Sequence, residues 1–449
     1  MKNTAPFIVR FIVLLMIVMI AGSLGTCKKQ PSGRTELWVL NYYDTSTVHA
    51  AGEITLVWEA FERANPDIKI IREDAFNDPF HNKVDSYVRE GRIPDVMYAW
   101  PSGRSTELHA RGLLKNLGPL VQRDNLSSLY SATALDPSGQ ASGYLGILPQ
   151  AITATNAFYI NLAVLDACGL EPAKTYGELR AQVPILKARG YETVLMANAD
   201  SWVMQSCLFS LVAGRFCGKG WEQRILSGGS AFTDPGFVAA LDFIKTLYDD
   251  GVLSKTALST GYAEVAEQFA AHRGAYLIDG DWRVAAFVTG KSTGQALIPV
   301  EAQRNILISV FPEIEGALLN RSNSVVLGTG WGISAAIPPG SVKEEAAWRL
   351  VKWLSGKEVQ EWLLETGGIA IPTRTDIDVG SLRLEPMQVA VGNLGKEYDV
   401  STAVIDGAFD EAVYTPINEG LQAIGMGTRT PRQAAQAIQS AFEAWRAQR

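Results

Sequence analysis

Acidic and tryptophan side chains stand close together at two glycine-containing segments, and their types and spacing could support chemistry. One segment contains Asp279, Asp281 and Trp282, and the other places Trp331 between two glycines. Two carboxylates can act as general acid and base when they flank one bond, but residues two apart on a strand lie side by side on the same face. The spacing of Asp279 and Asp281 therefore argues against a glycan hydrolase, and we predict no catalytic residues.

Composition disfavours metal and nucleic-acid chemistry. The four histidines are scattered without the spacing of metal ligands, so we predict neither a metal site nor a cofactor. The formal charge is −7 and becomes −9 without Lys2 and Arg10, because residues 1–27 contain no acid. An acidic chain with no basic cluster is not expected to bind nucleic acid.

The first residues have the pattern of an export signal. Lys2 and Arg10 lie before the uncharged apolar stretch 11–26. This stretch is shorter than the roughly 20 residues that a membrane-spanning helix needs. We therefore expect residues 1–27 to be a removable signal peptide and the protein to be exported. The rest of the sequence has no apolar run long enough to span a bilayer.

The segment Leu24–Cys27, with the sequence LGTC, resembles the lipobox of bacterial lipoproteins. In those proteins the cysteine carries the lipid and becomes the mature N-terminus. Thr26 departs from the pattern, in which Gly, Ala or Ser is usual. The resemblance implies lipidation at Cys27 and a membrane anchor at the periplasmic or extracellular face, strengthened by the two lysines that follow. The alternative is an ordinary secretory signal with an incidental cysteine.

Strands and helices alternate after this leader. The apolar stretch Glu36–Leu40 predicts a strand, a helix is expected over about 50–64, and Ile68–Ile71 predicts the next strand. The alternation continues to about residue 111. It predicts a mostly parallel sheet covered by helices on both faces, with ligands bound beyond the carboxyl ends of the strands.

Two of these strand ends carry ligand candidates. Tyr42 and Asp44 follow the first strand, and Trp100 closes a later one. Polar turn residues are also a normal way to end a strand, and an indole is more often packed than exposed to ligand. The position at the carboxyl edge of the sheet still makes Tyr42, Asp44 and Trp100 candidates for ligand contact.

Five segments carry a resemblance that extends over nearly the whole exported chain. They are 61–70 (FERANPDIKI), 91–96 (GRIPDV), 112–117 (GLLKNL), 157–161 (AFYIN) and 168–179 (CGLEPAKTYGEL). In this order and spacing they resemble the extracellular solute-binding proteins of sugar-type bacterial ABC importers, the maltose-binding-protein-like family 1. Tyr176 stands where the family usually has Trp. Thr175 and Glu178 also predict a capping box for a helix over Tyr176–Ala188.

The resemblance implies an α/β, two-lobe periplasmic-binding-protein fold of type II. Each lobe is expected to be a mostly parallel sheet flanked by helices, and a hinge joins the two. The apolar run Leu307–Pro312 is expected to return the chain to the first lobe, and two helices are expected over 343–354 and 358–366. The expected division is a signal peptide at 1–27, an N-terminal lobe of 34–150 plus 306–338, and a C-terminal lobe of 151–305 plus 339–449.

The implied function is capture of a mono- or oligosaccharide between the lobes and delivery to the permease subunits of an ABC importer. In this family a glycine-rich turn before Trp sets an indole against the sugar. The C–H face of a pyranose stacks on an aromatic ring, while its hydroxyls seek carboxylate, amide and Arg partners. The residues implicated as ligand contacts are Tyr42, Asp44, Trp100, Asn156, Tyr159, Trp202, Asp281, Trp282, Trp331 and Arg374.

Other interpretations stay open. Asn156 could satisfy backbone groups, Arg374 could be a solvated charge, and any of the eleven tryptophans could be packed in a core. The ligand could be a polyamine or a glycerol phosphate, and the protein could be a sensing lipoprotein or an exported hydrolase. Cys207 and Cys217 are the nearest cysteine pair in the exported chain, with buried free cysteine as the alternative.

Overall fold

The computed structural model describes residues 33–45, 49–291 and 293–448. The expected signal peptide and Cys27 lie outside the described residues. The strands are β1 Thr35–Tyr42, β2 Ile68–Ala75, β3 Val96–Ala99, β4 Ile147–Ala154, β5 Ala157–Asn161, β6 Glu192–Leu195, β7 Gly274–Asp279, β8 Ile306–Ser309, β9 Ser322–Ile333, β10 Ile371–Pro372 and β11 Val400–Thr402.

Helices surround both sheets. Two helices contain a π-helical segment: Ile54–Trp58 in the helix over 50–64, and Gln205–Phe209 in the helix over 202–217. The helices are α1 50–64, α2 Asp78–Glu90, α3 Thr106–Ala110, α4 Gly118–Arg123, α5 Leu162–Cys168, α6 Tyr176–Ala188, α7 202–217, α8 Trp221–Leu226, α9 Pro235–Asp249, α10 Tyr262–Ala270, α11 Val284–Phe287, α12 Val342–Leu354, α13 Lys357–Thr366, α14 Pro386–Gly392, α15 Ile405–Ala408, α16 Glu411–Met426 and α17 Pro431–Arg446.

The strands form two separate sheets. The first has the order β10-β4-β9-β3-β1-β2, with β11 beside the start of β9, and the second has the order β6-β7-β5-β8. In the first sheet β1 is parallel to β2 and β3, whereas β9 is antiparallel to both β3 and β4. Both sheets are therefore mixed, and the expectation of mostly parallel sheets is corrected because the long strand β9 runs back between β3 and β4.

Two neighbouring strands connect the lobes. β4 ends at Ala154 and β5 begins at Ala157 in the other sheet, so the chain passes from one sheet to the other within two residues. β9 returns beside it, and Ala154 pairs with Val325. The hydrogen bond from Thr155 N to Ser324 O, at 2.9 Å, continues this pairing at the crossing. These adjacent strands form the hinge of the two-lobe molecule.

Each sheet has its own buried core. Leu37 and Val39 of β1 pack with Trp348 and Leu350 of α12 in the first lobe. A larger cluster in the second lobe joins β5 and β7 to the helices α7, α9 and α16. Because apolar residues lie on the faces that these helices cover, each lobe buries its own apolar surface.

The expected division into lobes is wrong in several segments, since the end of β4 and all of β10 also belong to the first sheet. β8, Ile306–Ser309, pairs with β5 in the second sheet, so the run after Leu307 does not return the chain to the first lobe. Helices α12 and α13 pack against the first-lobe core rather than in the second lobe. The sequence pattern did not show which strand β8 would pair with, and Ile306 and Ile308 face the second core.

Most individual elements were predicted correctly. β1, α1 and β2 lie where the alternation predicts them, and α12 and α13 match two expected helices over 343–354 and 358–366. The capping box of α6 is confirmed, since Thr175 Oγ1 accepts from Glu178 N at 3.2 Å and Glu178 Oε2 accepts from Thr175 N at 3.3 Å. Local signals therefore predicted the elements better than their assignment to lobes.

Candidate functional site

The carboxyl ends of the central strands of both lobes face each other. β3 is antiparallel to β9, and so is β4, so β1 and β3 run in the same direction as β4. Since β4 leaves the first sheet toward the second at its carboxyl end, the carboxyl ends of β1 and β3 point toward the second lobe. β7 is antiparallel to β5, and β6 is parallel to β7, so their carboxyl ends point back toward the first lobe. The space between these ends is the candidate site.

Aromatic side chains gather at the first-lobe edge of this space. The first-lobe ring cluster consists of Tyr42, Phe80, Tyr98 and Trp100, with His81 beside it. The Tyr42 ring lies 5.3 Å from that of Trp100 and 5.9 Å from that of Tyr98, between ring centroids. Tyr42 and Trp100 are half-buried, and Tyr42 donates to Asn77 Oδ1 at 2.9 Å. These rings present apolar faces and polar edges at the ends of β1 and β3.

A second set of rings lies at the opposite edge. The second-lobe ring cluster consists of Trp202, Tyr262 and Trp282, which are all half-buried. The Trp202 ring centroid is 5.4 Å from that of Tyr262 and 6.2 Å from that of Trp282. Trp202 begins α7 shortly after β6, and Trp282 lies in the turn Asp281–Arg283 that follows β7. Both lobes therefore place indoles and phenols at facing strand ends.

A buried ion pair lies beneath the second cluster. Arg283 Nε donates to Asp279 Oδ2 at 2.6 Å, and both side chains are almost completely buried. The Arg283 guanidinium also lies over the Tyr262 ring, 3.5 Å from its centroid. Burial by itself would lower the pKa of Arg283, but the negative charge of Asp279 outweighs this effect, and the pKa is raised. The two buried charges are therefore paired with each other within the protein.

A second ion pair joins the two lobes. Arg104 follows β3 in the first lobe, and its Nε lies 2.8 Å from Asp406 Oδ2, which belongs to α15 in the second lobe. The two side chains are 13% and 10% exposed. Gly103 has φ +52°, and a Cβ there would lie 1.9 Å from the backbone oxygen of Asp406, so this approach requires glycine. The lobes are thus in direct contact at one side of the site.

Asp281 lies at the hinge rather than in the open space. It is 2% exposed, and its Oδ2 accepts from Ala154 N, the last residue of β4, at 2.8 Å. Burial raises the pKa of Asp281 to about 7, against the opposing effect of that hydrogen bond. Asp281 therefore links the β7 turn to the crossing strand, and its contact with a ligand stays a prediction that this burial disfavours.

Three further candidates are buried within the protein. Asn156 is fully buried and bonds to the backbone at Cys207 O, 2.6 Å away, and at Phe311 N. Tyr159 is fully buried, and its hydroxyl donates to Gly280 O at 2.8 Å. Trp331 is 4% exposed and packs between Trp58 and Tyr98. The structure packs these three residues within the protein, and their contact with a ligand stays a prediction.

Arg374 also lies away from the facing strand ends. Its Nε and Nη2 bind Asp376 at 2.8 and 2.7 Å, and its guanidinium lies over the Tyr130 ring in the first lobe. Asp44 follows Tyr42 and is half-buried. The structure thus brings four predicted residues to the facing edges, namely Tyr42, Trp100, Trp202 and Trp282, with Asp44 close to Tyr42 in sequence.

Sequence reasoning missed several residues that the structure brings to these edges. They include Tyr262, His81, Arg104 and Asp406. Tyr262 follows Gly261 at the start of α10, and Arg104 follows the Pro-Ser-Gly turn after β3. A search for aromatic or basic residues just after glycine turns could have found both, whereas Asp406 comes from a part of the chain that no local pattern connects with Arg104.

The cysteines of the described residues are free. Cys207 and Cys217 both lie in α7, ten positions apart, so about 15 Å of helix separates them and they cannot form a disulfide with each other. Cys207 is fully buried in the second-lobe core, and Cys217 is half-buried. The proposed pairing is therefore wrong, and the alternative of free cysteine holds.

One sequence motif invites comparison with serine hydrolases. Residues 290–294 read Gly-Lys-Ser-Thr-Gly and match the Gly-x-Ser-x-Gly pattern. In hydrolases that motif forms a sharp turn from a strand into a helix. Ser292 lies outside the described residues, the element that precedes the motif is the helix Val284–Phe287 rather than a strand, and Gly294 N donates to Gly290 O. The structural context of a nucleophile elbow is therefore missing.

The described residues contain neither a metal-binding cluster nor a membrane-spanning helix. Within 33–45, 49–291 and 293–448, no group of three or more His, Cys, Asp or Glu side chains is placed to hold a metal ion. In the same part of the chain, none of the helices combines the length and apolar character that crossing a membrane requires.

The sequence and the fold both have known counterparts. The family model described as bacterial extracellular solute-binding protein matches residues 45–361. No curated protein matches the sequence. Among solved structures, the chain is similar to a chitin oligosaccharide binding protein, with 18% identity, a TM-score of 0.80, and coverage of 92% of this chain and 99% of that chain.

Two further structures have the same fold. One is the maltose/maltodextrin-binding domain MalE from Bdellovibrio bacteriovorus bound to maltotriose, with 18% identity, a TM-score of 0.69, and coverage of 92% of this chain and 100% of that chain. The other is the GacH receptor of Streptomyces glaucescens, with 19% identity, a TM-score of 0.71, and coverage of 92% and 98%. At these identities the similarity shows a shared two-lobe fold.

Proposed function

Because the chain belongs to the bacterial extracellular solute-binding proteins, we propose that it captures a carbohydrate between its two lobes and delivers it to the permease of an ABC importer. The observation that carries the proposal is the pair of half-buried ring clusters at facing strand ends. A pyranose has apolar C–H faces that stack on such rings, and its hydroxyls bind at the polar rim. Two of the similar structures are described with maltotriose and with acarbose, and a third by its binding of chitin oligosaccharide.

The charges beside the clusters favour a neutral ligand. Arg104 and Arg283 are already paired with Asp406 and Asp279, so they are not available for the phosphate of a glycerol phosphate. Burial lowers the pKa of His81 to about 3, which leaves it neutral at physiological pH. A polyamine would need free carboxylates, but Asp279 is paired with Arg283. A mono- or oligosaccharide fits these groups better than either alternative.

The same contacts support binding without catalysis. Asp279 is paired with Arg283, and Asp281 accepts from the backbone of the hinge. Neither carboxylate is free to protonate a glycosidic oxygen or to activate water, and they belong to one turn rather than to opposite sides of a ligand. We therefore propose a binding protein rather than a hydrolase.

Closure of the lobes would couple binding to transport. Ligand can shift the lobes only through contacts that are better in the closed arrangement. Rings on both sides provide such contacts, and the adjacent crossing strands β4 and β9 allow rigid-body rotation about one hinge. The closed pair of lobes would then be the surface that a permease recognises. A sensing protein would close in the same way. The two roles differ in the partner protein that recognises the closed form.

Export and anchoring complete the proposal. The leader 1–27 and the lipobox-like segment at Cys27 support an exported protein held at the outer face of the cell membrane by lipid. The direct measurement is mass spectrometry of the mature N-terminus, in which diacylation of Cys27 is expected and a Cys27→Ser variant would be released from the membrane.

The ligand class is tested by a thermal-shift screen of the exported body against maltotriose, chitotriose and xylotriose, with spermidine and glycerol 3-phosphate as the charged alternatives. A ligand at 100 times its dissociation constant stabilises by about 2.7 kcal/mol, which raises the melting temperature by a few degrees. We expect a saccharide to shift the melting curve and Trp282→Ala to abolish the shift. A shift by spermidine or glycerol 3-phosphate alone would overturn the carbohydrate assignment.

A further inference from the structure

We infer that Tyr262 is a positioning residue that fixes the orientation of the Trp282 indole in the candidate site. The inference rests on the proposed function, since it assigns a role within the same carbohydrate site. Neither the tyrosine nor the charged pair beneath it was expected from the sequence. The contacts that carry the inference form one continuous chain from the half-exposed indole to a fully buried ion pair.

The chain begins at the indole nitrogen. Trp282 Nε1 donates to the Tyr262 hydroxyl at 2.6 Å. That hydroxyl in turn donates to Asp279 Oδ1 at 3.4 Å. Asp279 also accepts from Gly280 N at 2.7 Å, and its other oxygen binds Arg283. Each donor therefore has an acceptor, and the direction of the hydrogen bonds runs from the indole to the carboxylate.

The buried pair makes this chain stiff. Arg283 binds Asp279 through Nε and Nη2, covers the Tyr262 ring face, and donates from Nη1 to Tyr262 O at 3.1 Å. The tyrosine is thus held at its ring, at its backbone and at its hydroxyl. Burial and the charge of Asp279 raise the pKa of Tyr262 well above its usual value, so the hydroxyl stays protonated. Hydrogen bonds in such a poorly solvated network strengthen one another.

The space around the indole supports a single orientation. A Cβ at position 280 would lie 2.2–2.4 Å from three carbons of the Trp282 ring, so the indole rests directly on Gly280. The neighbouring Trp202 ring is tilted by 38° against it. With its nitrogen bound to Tyr262 and one side against Gly280, the indole is held in place while part of its surface stays exposed. A fixed ring binds a sugar with less loss of side-chain entropy than a mobile one.

The test removes only the hydroxyl of Tyr262. The Tyr262→Phe variant keeps the ring that Arg283 covers but removes the acceptor for Trp282 Nε1. Tyr176→Phe is the matched control, because the Tyr176 hydroxyl also donates to a carboxylate, Asp250 Oδ2 at 2.6 Å, in the same lobe but outside the site. Both variants lose a partly buried phenolic hydroxyl that donates to a carboxylate, and only Tyr262→Phe also loses a bond to an indole, so a general loss of stability affects both while the Trp282 contact is changed in one.

The first readout needs no ligand. The indole ¹⁵N–¹H resonance of Trp282 is assigned by its disappearance in Trp282→Phe. In Tyr262→Phe we expect this resonance to move and its exchange with water to speed up by about tenfold, the equivalent of one lost hydrogen bond. In Tyr176→Phe it should stay unchanged. An unchanged Trp282 resonance in Tyr262→Phe would overturn the inference.

The second readout is calorimetric titration with maltotriose, chitotriose and xylotriose. We expect Tyr262→Phe to bind the preferred trisaccharide about tenfold more weakly and Tyr176→Phe to bind like the unmodified protein. Equal binding by the unmodified protein and Tyr262→Phe would overturn the inference and leave the carbohydrate function standing. A moved resonance in a protein that binds none of the saccharides would instead support the anchoring of Trp282 and overturn the proposed function.

Discussion

Asp281 shows how a single buried carboxyl can make the hinge sensitive to pH. It has few solvent contacts, faces Asp279 from the same turn, and binds the last backbone amide of β4. Its pKa is raised from 3.8 to about 7, so the folded protein holds a proton that the unfolded chain has already lost. The stability contributed by this proton is fully present below about pH 4 and is lost as the pH rises to about 7.

The corresponding prediction uses the isosteric variant Asp281→Asn, which can still accept from Ala154 N and does not titrate. We expect the free energy of unfolding of the unmodified protein to fall relative to the variant by roughly 3 kcal/mol between pH 4.5 and 8, because about two and a half of the three pKa units of the shift fall in this range. Urea unfolding at several pH values measures this difference. Curves that run parallel over the whole range would show that Asp281 is ionised in the folded protein.

At the residue scale, sequence reasoning found half-exposed indoles but could not separate them from buried ones. Trp282 and Trp202 follow strand ends and remain partly exposed, whereas Trp331 lies inside the long strand β9. Glycines flank Trp331 because backbone atoms of Leu148 and Gly146 approach them closely in the sheet, not because the segment is a turn. The same sequence signal therefore has two physical causes, and only tertiary contacts distinguish them.

At the scale of elements, local chemistry was sufficient for α6. Thr175 and Glu178 cap its first turn reciprocally, and the helix runs over the expected residues 176–188. We expect Thr175→Ala to lower the free energy of unfolding by about 1 kcal/mol and Thr175→Ser to retain most of it. Urea unfolding of both variants measures this effect. Equal losses in the two variants would mean that the threonine methyl, rather than its hydroxyl, stabilises the helix.

Element pairing was less accessible to sequence reasoning than element position. β8 and β9 both have strand sequences, but β8 pairs with β5 and β9 extends from the hinge into the first sheet. The sequence of a strand does not indicate which distant strand it pairs with, because an apolar strand can be added to either sheet. The bounds of α12 and α13 were likewise predicted correctly, but their lobe was predicted wrongly. An amphipathic pattern predicts that a helix packs on a core without indicating which core.

At the scale of the whole molecule, the two-lobe fold was predicted from the ordered set of family motifs, and the structure and the family match confirm it. The facing of the two ring clusters follows from strand direction and from the crossing at 154–157. The contact between Arg104 and Asp406 does not follow from either, since more than three hundred residues separate them. Contacts of this kind decide how strongly the lobes prefer to stay together.

The ion pair between Arg104 and Asp406 should hold the lobes closed. Both groups are nearly buried, and Ser102 Oγ donates to Gly407 O beside them. Replacing Arg104 with Met would leave the Asp406 carboxylate unpaired at the interface, and separation of the lobes would rehydrate it. We expect Arg104→Met to increase the radius of gyration in small-angle X-ray scattering and to weaken saccharide binding by about tenfold, because fewer molecules are closed before binding.

Two comparisons make this prediction specific to the interface. Arg321 and Asp399 form an ion pair at 2.7 Å with side chains 56% and 65% exposed, so Arg321→Met should change neither the scattering nor the affinity. The double variant Arg104→Met with Asp406→Leu removes both charges, and an apolar contact in their place should restore much of the closed population. If neither the single nor the double variant opens, the lobes are held by the close approach at Gly103 and the neighbouring backbone contacts rather than by the charge pair.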